Sequence, residues 1–180
     1  MRTSRYYENL IQTVIDNSDA HDWSSAVQEW SVYDVEEDEE LVESCVCGKE
    51  NLRYLFTIKN DINGNILYPI GSSCIKKFER KELNEEVDVK IQLFKLLHAI
   101  EENEYLTFSA EFFSRKLLRY LFENNAFKAT AYNNYDPEND YEFMLKMFNA
   151  RQRTQRQEKK AIAILLSSIK PFLKEQLNLR

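Results

Sequence analysis

Three cysteines placed around a predicted β-hairpin constrain the fold of this chain more than any other feature. Cys45 and Cys47 are separated by a single residue, and Cys74 lies further along the chain. The intervening segment 52–70 contains two runs of strand-forming residues joined by Asn63-Gly64, a typical hairpin turn. Because a hairpin brings its two ends together, we expect Cys74 to return to the side of Cys45 and Cys47.

Three thiolates that converge on one point would supply most of the ligands of a zinc ion. A closed structural site needs four ligands, so one must come from elsewhere. We prefer His98 as the fourth ligand, because it lies on an apolar helical stripe that could pack against the hairpin. The alternatives are His21, a carboxylate such as Glu43, a water molecule or a ligand from a second chain. Four protein ligands would leave no open position for water, so the predicted Zn²⁺ is structural.

The residues next to the cysteines favour thiolate formation. Ser72 can cap a helix that runs to Arg80, which would place Cys74 in the first turn, where the helix dipole stabilises negative charge. Gly48 lets the backbone turn so that its amides face the sulfurs. This order of knuckle, hairpin and ligand at a helix start resembles a treble-clef zinc finger. The chain departs from that pattern in its C-x-C spacing and in Lys77, which stands where a second helical cysteine would be.

The remainder of the chain has the pattern of a helical protein. Hydrophobic residues make up 43% of the sequence, which has only 3 glycines and 3 prolines, and this favours a globular chain rich in regular structure. We predict an α+β fold with a mainly helical body and a small zinc-bound, treble-clef-like β-hairpin module. One compact unit would contain three segments: N-terminal helices and an acidic loop at 1–44, the zinc knuckle, hairpin and short helix at 45–82, and a helical domain at 83–180.

Apolar periodicity and capping residues locate the helices. Helices are predicted at 4–17 and 23–30, and a central helix that is apolar on two sides begins near residue 85. The capping and helix-breaking residues expected further along are Ser109, Asp136 with Pro137, Thr154 with Gln157, and Pro171, which would kink or end the last helix.

Charge is distributed unevenly along the chain, whose net charge is -6. Residues 1–50 carry 13 acidic side chains against 3 basic ones, and residues 146–180 carry 9 basic against 2 acidic. We expect the densest acidic block, 34–40, to be a solvated loop that attracts a basic partner such as a nucleic-acid-handling protein. Direct nucleic-acid binding is not expected, since phosphate contacts need lysine and arginine. The candidate partner-binding residues are Asp34, Glu36, Glu37, Asp38, Glu39 and Glu40.

The sequence lacks the common catalytic motifs. It contains no HExxH, Walker A, GxGxxG or GxSxG pattern, and no H-x-E…C-x-x-C pattern of the zinc deaminases, so we expect no enzyme activity. No apolar segment follows Met1, and the longest apolar stretch, Ala161–Leu166, is too short to span a bilayer, so we expect no membrane association. An odd number of cysteines fits a reducing, intracellular compartment.

Several stretches resemble small proteins carried by streptococcal and related prophages and mobile elements, a group that includes a zinc-containing anti-CRISPR inhibitor of type II Cas9. The resemblance implies a non-enzymatic inhibitor in the cytoplasm of the bacterial host cell. It would bind Cas9 or its guide-RNA complex and block target DNA binding or cleavage. The stretches are Cys45-Val46-Cys47-Gly48 with Ile70-Gly71-Ser72-Ser73-Cys74-Ile75-Lys76-Lys77-Phe78, Phe113-Ser114-Arg115-Lys116-Leu117-Leu118 and Met147-Phe148-Asn149-Ala150-Arg151.

A zinc-stabilised nucleic-acid-binding or regulatory module of a mobile element is the alternative function. Such a module would use the zinc segment together with a basic helix face near the end of the chain. A metal-dependent enzyme, in which three cysteines and a water molecule hold a catalytic zinc, is a third hypothesis. The basic face consists of Arg151, Arg153, Arg156, Lys159 and Lys160.

Overall fold

Helices and one antiparallel sheet make up the computed structural model, which describes residues 4–102 and 113–177. The predicted α+β class is therefore confirmed. Two compact units are present, Met1–Ile91 and Gln92–Arg180. Both predicted segment boundaries, after residues 44 and 82, fall within the first unit. No helix of the described chain combines the length and the apolar character needed to cross a membrane.

The first unit combines short helices with all the strands of the described chain. Its long helix α4 continues past the end of the unit. In chain order the elements are α1 (Arg5–Asp16), α2 (Trp23–Ala26) with a 3-10 turn at Val27–Glu29, β1 (Trp30–Glu37), β2 (Tyr54–Asn60), β3 (Ile66–Ile70), α3 (Ser72–Ile75) with a 3-10 turn at Lys76–Phe78, and α4 (Lys81–Glu101).

The three strands form an antiparallel sheet in the order β1-β2-β3. The predicted hairpin is confirmed as β2 and β3, with Phe56 opposite Ile70. Aromatic and β-branched side chains from the hairpin cover the buried face of the sheet, which is why this segment is recognisable from sequence. Phe56, Ile58 and Ile70 are fully buried.

The sequence-based prediction missed β1. Residues 23–30 were predicted as a helix and the block 34–40 as a loop, but the helix ends at Ala26 and a strand covers Trp30–Glu37. Buried Trp30 and Val35 anchor this strand, and its backbone pairs with β2. The acidic side chains of this segment argued against a strand, because Asp and Glu are uncommon in strands. Only the end of the block, after Glu37, lies outside the strand.

A buried carboxylate ties the start of the sheet to the segment after α1. Glu29 accepts hydrogen bonds from the backbone N–H groups of Asp19, at 2.9 Å, and Ala20, at 2.7 Å, and from the Asn60 amide, at 2.6 Å. The oxygen of the Asn60 side chain in turn accepts from the N–H of Ile62, at 2.9 Å. These bonds satisfy polar groups that would be costly to bury alone, so they fix one end of the hairpin.

All the regular elements in the described residues of the second unit are helices. It begins within α4 and continues with α5 (Arg115–Glu123), a 3-10 turn at Ala131–Asn133, α6 (Pro137–Asn149), α7 (Gln155–Ile164), a π-turn at Leu165–Ile169, and α8 (Lys170–Gln176).

Capping residues start the helices of the second unit largely as predicted. The Asp136 side chain accepts from the N–H of Glu138, and Thr154 forms a capping box with Gln157, so both predictions are confirmed. Helix α5 is capped by Ser114, whose hydroxyl accepts from the N–H of Leu117. The predicted cap Ser109 lies outside the described residues.

Pro171 does not end the last helix, and the irregularity in the helix lies just before it. The helix continues through it to Gln176, and the residues just before it form a π-turn, Leu165–Ile169. Proline has no N–H to donate, so a normal helical ladder would leave a carbonyl without its partner one turn earlier. The hydrogen bonds of the π-turn span five residues and accommodate the missing N–H donor, so α7 and α8 remain continuous.

Candidate metal centre

A tight turn presents the first two cysteines. The N–H of Cys45 donates to the carbonyl of Lys49, at 2.8 Å, and the N–H of Gly48 donates to the carbonyl of Cys45, at 2.7 Å. Gly48 has a φ of +89°, a conformation that residues with a Cβ rarely adopt, so glycine is required here. The turn therefore projects Cys45 and Cys47 in the same direction.

The third cysteine arrives on the short helix α3, directly after β3. The N–H of Val46 donates to the carbonyl of Pro69, at 2.9 Å, and this bond joins the turn to the strand. The N–H of Gly71 donates to the Cys45 sulfur, at 3.3 Å. A Cβ on Gly71 would lie 3.0 Å from a methyl group of Leu52, so the Leu52 side chain would have to shift by a few tenths of an ångström to admit it.

The three sulfurs lie close enough together to hold one metal ion. The Cys74 Sγ lies 3.6 Å from the Cys45 Sγ and 3.4 Å from the Cys47 Sγ, and all three atoms lie within 4.8 Å of one another. With Zn–S bonds of about 2.3 Å, tetrahedral geometry places two sulfurs about 3.8 Å apart. All three cysteines are free thiols and at most 4% exposed. The donor set therefore fits a zinc ion with little rearrangement.

The electrostatics of the cluster also favour a cation. The hydrogen bond between the Cys45 and Cys74 thiols is the main cause that lowers the pKa of Cys45 to about 5. The same bond, together with burial, raises the pKa of Cys74. Three buried thiolates repel one another unless a positive ion lies between them. Soft sulfur ligands select metals such as zinc over magnesium or calcium.

The helix that carries Cys74 is shorter than predicted. Gly71, rather than Ser72, is the N-cap, and α3 comprises the four residues Ser72–Ile75. A 3-10 turn follows and ends at Glu79, whose φ of +56° stops the chain from continuing to Arg80 as a helix. A helix this short has only a small dipole, so the dipole contribution that we expected at Cys74 is correspondingly small.

The position of the fourth ligand stays a prediction. In the described part of the first unit, no histidine or carboxylate lies within 4.8 Å of all three sulfurs. His21 is exposed between α1 and α2, and Glu43 is exposed, with its N–H donating to Asp38. His98 is half-buried on α4 in the second unit, and its assignment as a ligand is not tested by the geometry of the cluster.

One residue that supports the cluster was missed in the sequence. Asn9, on α1, donates its side-chain N–H to the carbonyl of Cys47, at 3.1 Å. Sequence offered no signal for this role, because an asparagine on the polar side of an amphipathic helix is ordinary. The bond holds the cysteine turn against the first helix.

Some carboxylates of the acidic block 34–40 form bonds within the protein, and others face solvent. Glu37 accepts from Arg53 at 2.9 Å, and Asp38 accepts the N–H groups of Glu40, Val42 and Glu43. The bond from Glu43 is the main cause that lowers the pKa of Asp38. These two carboxylates therefore organise the loop and are less available to a partner.

The other carboxylates of the block face solvent more fully. Glu36, Glu39 and Glu40 are exposed, and Asp34 is half-buried. The Tyr68 hydroxyl donates to Glu36, at 2.9 Å, and burial together with this bond raises the pKa of Tyr68 to about 12. We define the acidic edge as Glu36, Glu39 and Glu40.

The predicted basic face lies partly on α7 and partly in the segment before it, and two of its five side chains contact other residues of the protein. Arg153 donates to the carbonyl of Met147, and Lys160 lies 3.4 Å from the Asp140 carboxylate and 4.5 Å from the ring centre of Phe143. The members of this face that are exposed are Arg151, Arg156 and Lys159.

Comparison with known proteins gives no relative for this chain. A scan of protein-family models, a search of curated proteins and a search of solved structures found no match. The prophage and anti-CRISPR resemblance therefore stays a prediction, and the function must be inferred from the site and the surface.

Proposed function

We propose that Cys45, Cys47 and Cys74 hold a structural zinc ion. The observation that carries this proposal is the convergence of three buried sulfurs. When bound, zinc would supply the charge that holds three thiolates together and would join the cysteine turn to the end of the hairpin. The chain's own bonds, from Gly71 to Cys45 and from Val46 to Pro69, already bring these segments together.

We further propose that the protein is not an enzyme and acts by binding a basic, nucleic-acid-handling protein. The first unit holds 10 lysines and arginines against 19 aspartates and glutamates, a net charge of -9. Its acidic edge would complement a cationic surface and speed encounter with it. Cas9, alone or with its guide RNA, is the candidate target, since its nucleic-acid channel is positively charged. Occupying that channel would block target DNA binding or cleavage.

A pull-down with Cas9 and a DNA-cleavage assay test this partner together. We expect the protein to be retained by Cas9 and to slow cleavage as its concentration rises. Unimpeded cleavage at a large excess of the protein would remove Cas9 as the target. That outcome would not affect the zinc proposal, because metal content is measured separately.

A charge variant tests the acidic edge. We expect Glu36→Gln/Glu39→Gln/Glu40→Gln to reduce the association rate with the partner at low salt and to weaken the salt dependence of that rate. The matched control is Glu123→Gln/Glu138→Gln/Glu142→Gln, which removes three exposed carboxylates from the second unit. Equal effects of the two triple variants would show that net charge matters and that the edge does not.

A further inference from the structure

A cleft between α5 and α6 lies in the second unit, and the proposed function does not use it. Its volume is about 640 Å³, within the range of small-ligand sites. The cleft is lined by Arg115, Lys116, Arg119, Tyr141, Leu145 and Asn149.

The two walls of the cleft have different chemistry. Arg115 and Arg119 are four residues apart on α5, so they lie on the same face of that helix, with Lys116 beside them. Tyr141 and Leu145 on α6 are likewise four residues apart, and Asn149 continues the row by another turn. One wall is therefore cationic, and the other offers an aromatic ring, an apolar side chain and an amide.

Contacts between the two helices fix these walls. The Arg115 Nη2 donates to the Asn149 Oδ1, at 3.0 Å, across the cleft. The Tyr141 ring stacks on Phe122 with ring centres 4.6 Å apart, and the edge of Phe127 packs at 6.1 Å. A guanidinium group and an aromatic ring are thus held in place before any ligand binds, which reduces the cost of ordering them.

We propose that this cleft binds a nucleotide through its phosphate. Arginine guanidinium groups bind phosphate oxygens in pairs of hydrogen bonds, and the cleft offers two of them with a lysine. Tyr141 and Leu145 provide a surface for a base, as aromatic side chains do in single-strand-binding proteins. The second unit as a whole carries 14 lysines and arginines against 11 aspartates and glutamates, a net charge of +3, so its field does not oppose an anion.

This inference is independent of the proposed function and departs from the expectation of no direct nucleic-acid binding. That expectation rests on the acidic first half of the chain, whereas the cleft lies wholly in the second unit. The nucleotide could be free or part of a single strand, since the same phosphate and base groups are present in both.

Fluorescence anisotropy with a short labelled oligothymidylate tests the proposal on the full chain. We expect binding at low salt, and a loss of about tenfold or more in affinity for Arg115→Gln/Arg119→Gln. Each phosphate neutralised on a single strand contributes about 0.7 to the slope of log affinity against log salt, so the double variant, which removes both arginines from one phosphate, should lower that slope by about 0.7. Arg119→Gln alone, at an exposed position, should move affinity and slope in the same direction without the loss of the Arg115–Asn149 bond.

A matched control separates the cleft from general positive charge. Arg151→Gln/Arg156→Gln removes two exposed arginines outside the cleft, and we expect its affinity and slope to match those of the unmodified protein. Competition with adenosine monophosphate shows whether one nucleotide suffices or whether a strand is needed, and either result supports the site. No binding of the oligonucleotide at low salt, equal losses in the two double variants, or equally effective competition by polyglutamate would overturn the proposal.

Discussion

The two units of this protein differ in what holds them together and in the charge that they carry. The first unit has a three-stranded sheet with two edges, a cluster of three thiols and a net charge of -9. The second unit, in its described part, has helices that bury apolar side chains such as Leu117, Leu118 and Leu121, and it carries a net charge of +3.

This difference indicates that the units depend on different forces. A small sheet needs additional support, because short sheets bury too little apolar surface to be stable alone. In the first unit we expect that support to come from buried apolar side chains such as Trp30, Phe56 and Ile75, from the Glu29–Asn60 pair, and from the zinc ion proposed at the thiol cluster. In the second unit close packing of apolar side chains is the main source of stability. Substitutions in the two units should therefore differ in their effects on metal content and on stability.

The largest effect is expected from Cys74→Ser. Removing one thiolate should abolish tight metal binding, and structural zinc contributes about 10–16 kcal/mol in small zinc-binding peptides. We expect hydrogen exchange to show loss of protection in β2 and β3, with protection retained in α5. The control is Ser73→Ala, an exposed neighbour in the same short helix. Full protection of β2 and β3 in the cysteine variant would contradict a metal-dependent first unit.

A smaller but substantial effect is expected from Leu118→Ala in the second unit. Leu118 is fully buried, and a leucine-to-alanine change in a core costs about 2–5 kcal/mol. Urea unfolding measures this loss, and metal content should not change. The matched control is Leu166→Ala, since Leu166 is 44% exposed and should cost much less. Loss of metal in the Leu118 variant would show that metal binding in the first unit depends on the packing of the second unit.

Asn60→Ala should lower the stability of the first unit by less than Leu118→Ala lowers that of the second. Asn60 is fully buried, and its loss removes one of the hydrogen bonds to the Glu29 carboxylate and leaves the N–H groups of Ile62 and Asn63 without this partner, at about 1–3 kcal/mol. The matched control is Asn124→Ala, an exposed asparagine whose side chain bonds only within its own helix end. Two variants of equal stability would show that the buried pair adds nothing.

The same variant should change the pH dependence of stability. Burial raises the pKa of Glu29, but the bond from Asn60 and the N–H groups of Asp19 and Ala20 outweigh it and lower the pKa. The carboxylate therefore stabilises the fold above its unfolded pKa of about 4.3, and this contribution is lost as the pH falls through the lower folded pKa. Thermal melts should show the gap between Asn60→Ala and the unmodified protein narrowing below pH 4.3, and a constant gap would contradict this account.

The smallest effect on stability is expected from Glu39→Gln/Glu40→Gln. Both side chains are exposed beyond the end of β1, and surface substitutions of this kind usually change stability by less than about 0.5 kcal/mol. Urea unfolding should give the same midpoint as the unmodified protein. A clear loss of stability would show that these carboxylates are structural and would weaken their role as a binding edge.

Local patterns in the sequence were sufficient to predict the hairpin, the convergence of the cysteines and most helix starts. Asn63-Gly64, Asp136 with Pro137, and Thr154 with Gln157 act through bonds to residues close by in the chain, so their effects can be inferred without the tertiary structure. The approach of Cys74 to Cys45 followed from the hairpin alone.

Features that depend on distant partners could not be predicted. Strand β1 forms because its backbone pairs with β2, and its register shifts between Val32 and Asp34, so its buried residues Trp30 and Val35 do not follow the regular alternation that predicts a strand. Asn9 reaches the cysteine turn from α1, and Arg115 reaches Asn149 across two helices. Such contacts are properties of the packed structure, and no local rule marks them.

The most direct test of the zinc site is the metal content of the purified protein, with cobalt substitution to report the ligands. We predict one zinc ion per chain, a thiolate-to-cobalt charge-transfer absorption in the cobalt form, and loss of both in Cys45→Ser and Cys74→Ser. His98→Ala and His21→Ala then assign the fourth ligand, since only the true ligand should weaken metal binding. Protein that takes up no zinc, or a Cys74→Ser variant that holds zinc as tightly as the unmodified chain, would contradict the structural zinc site.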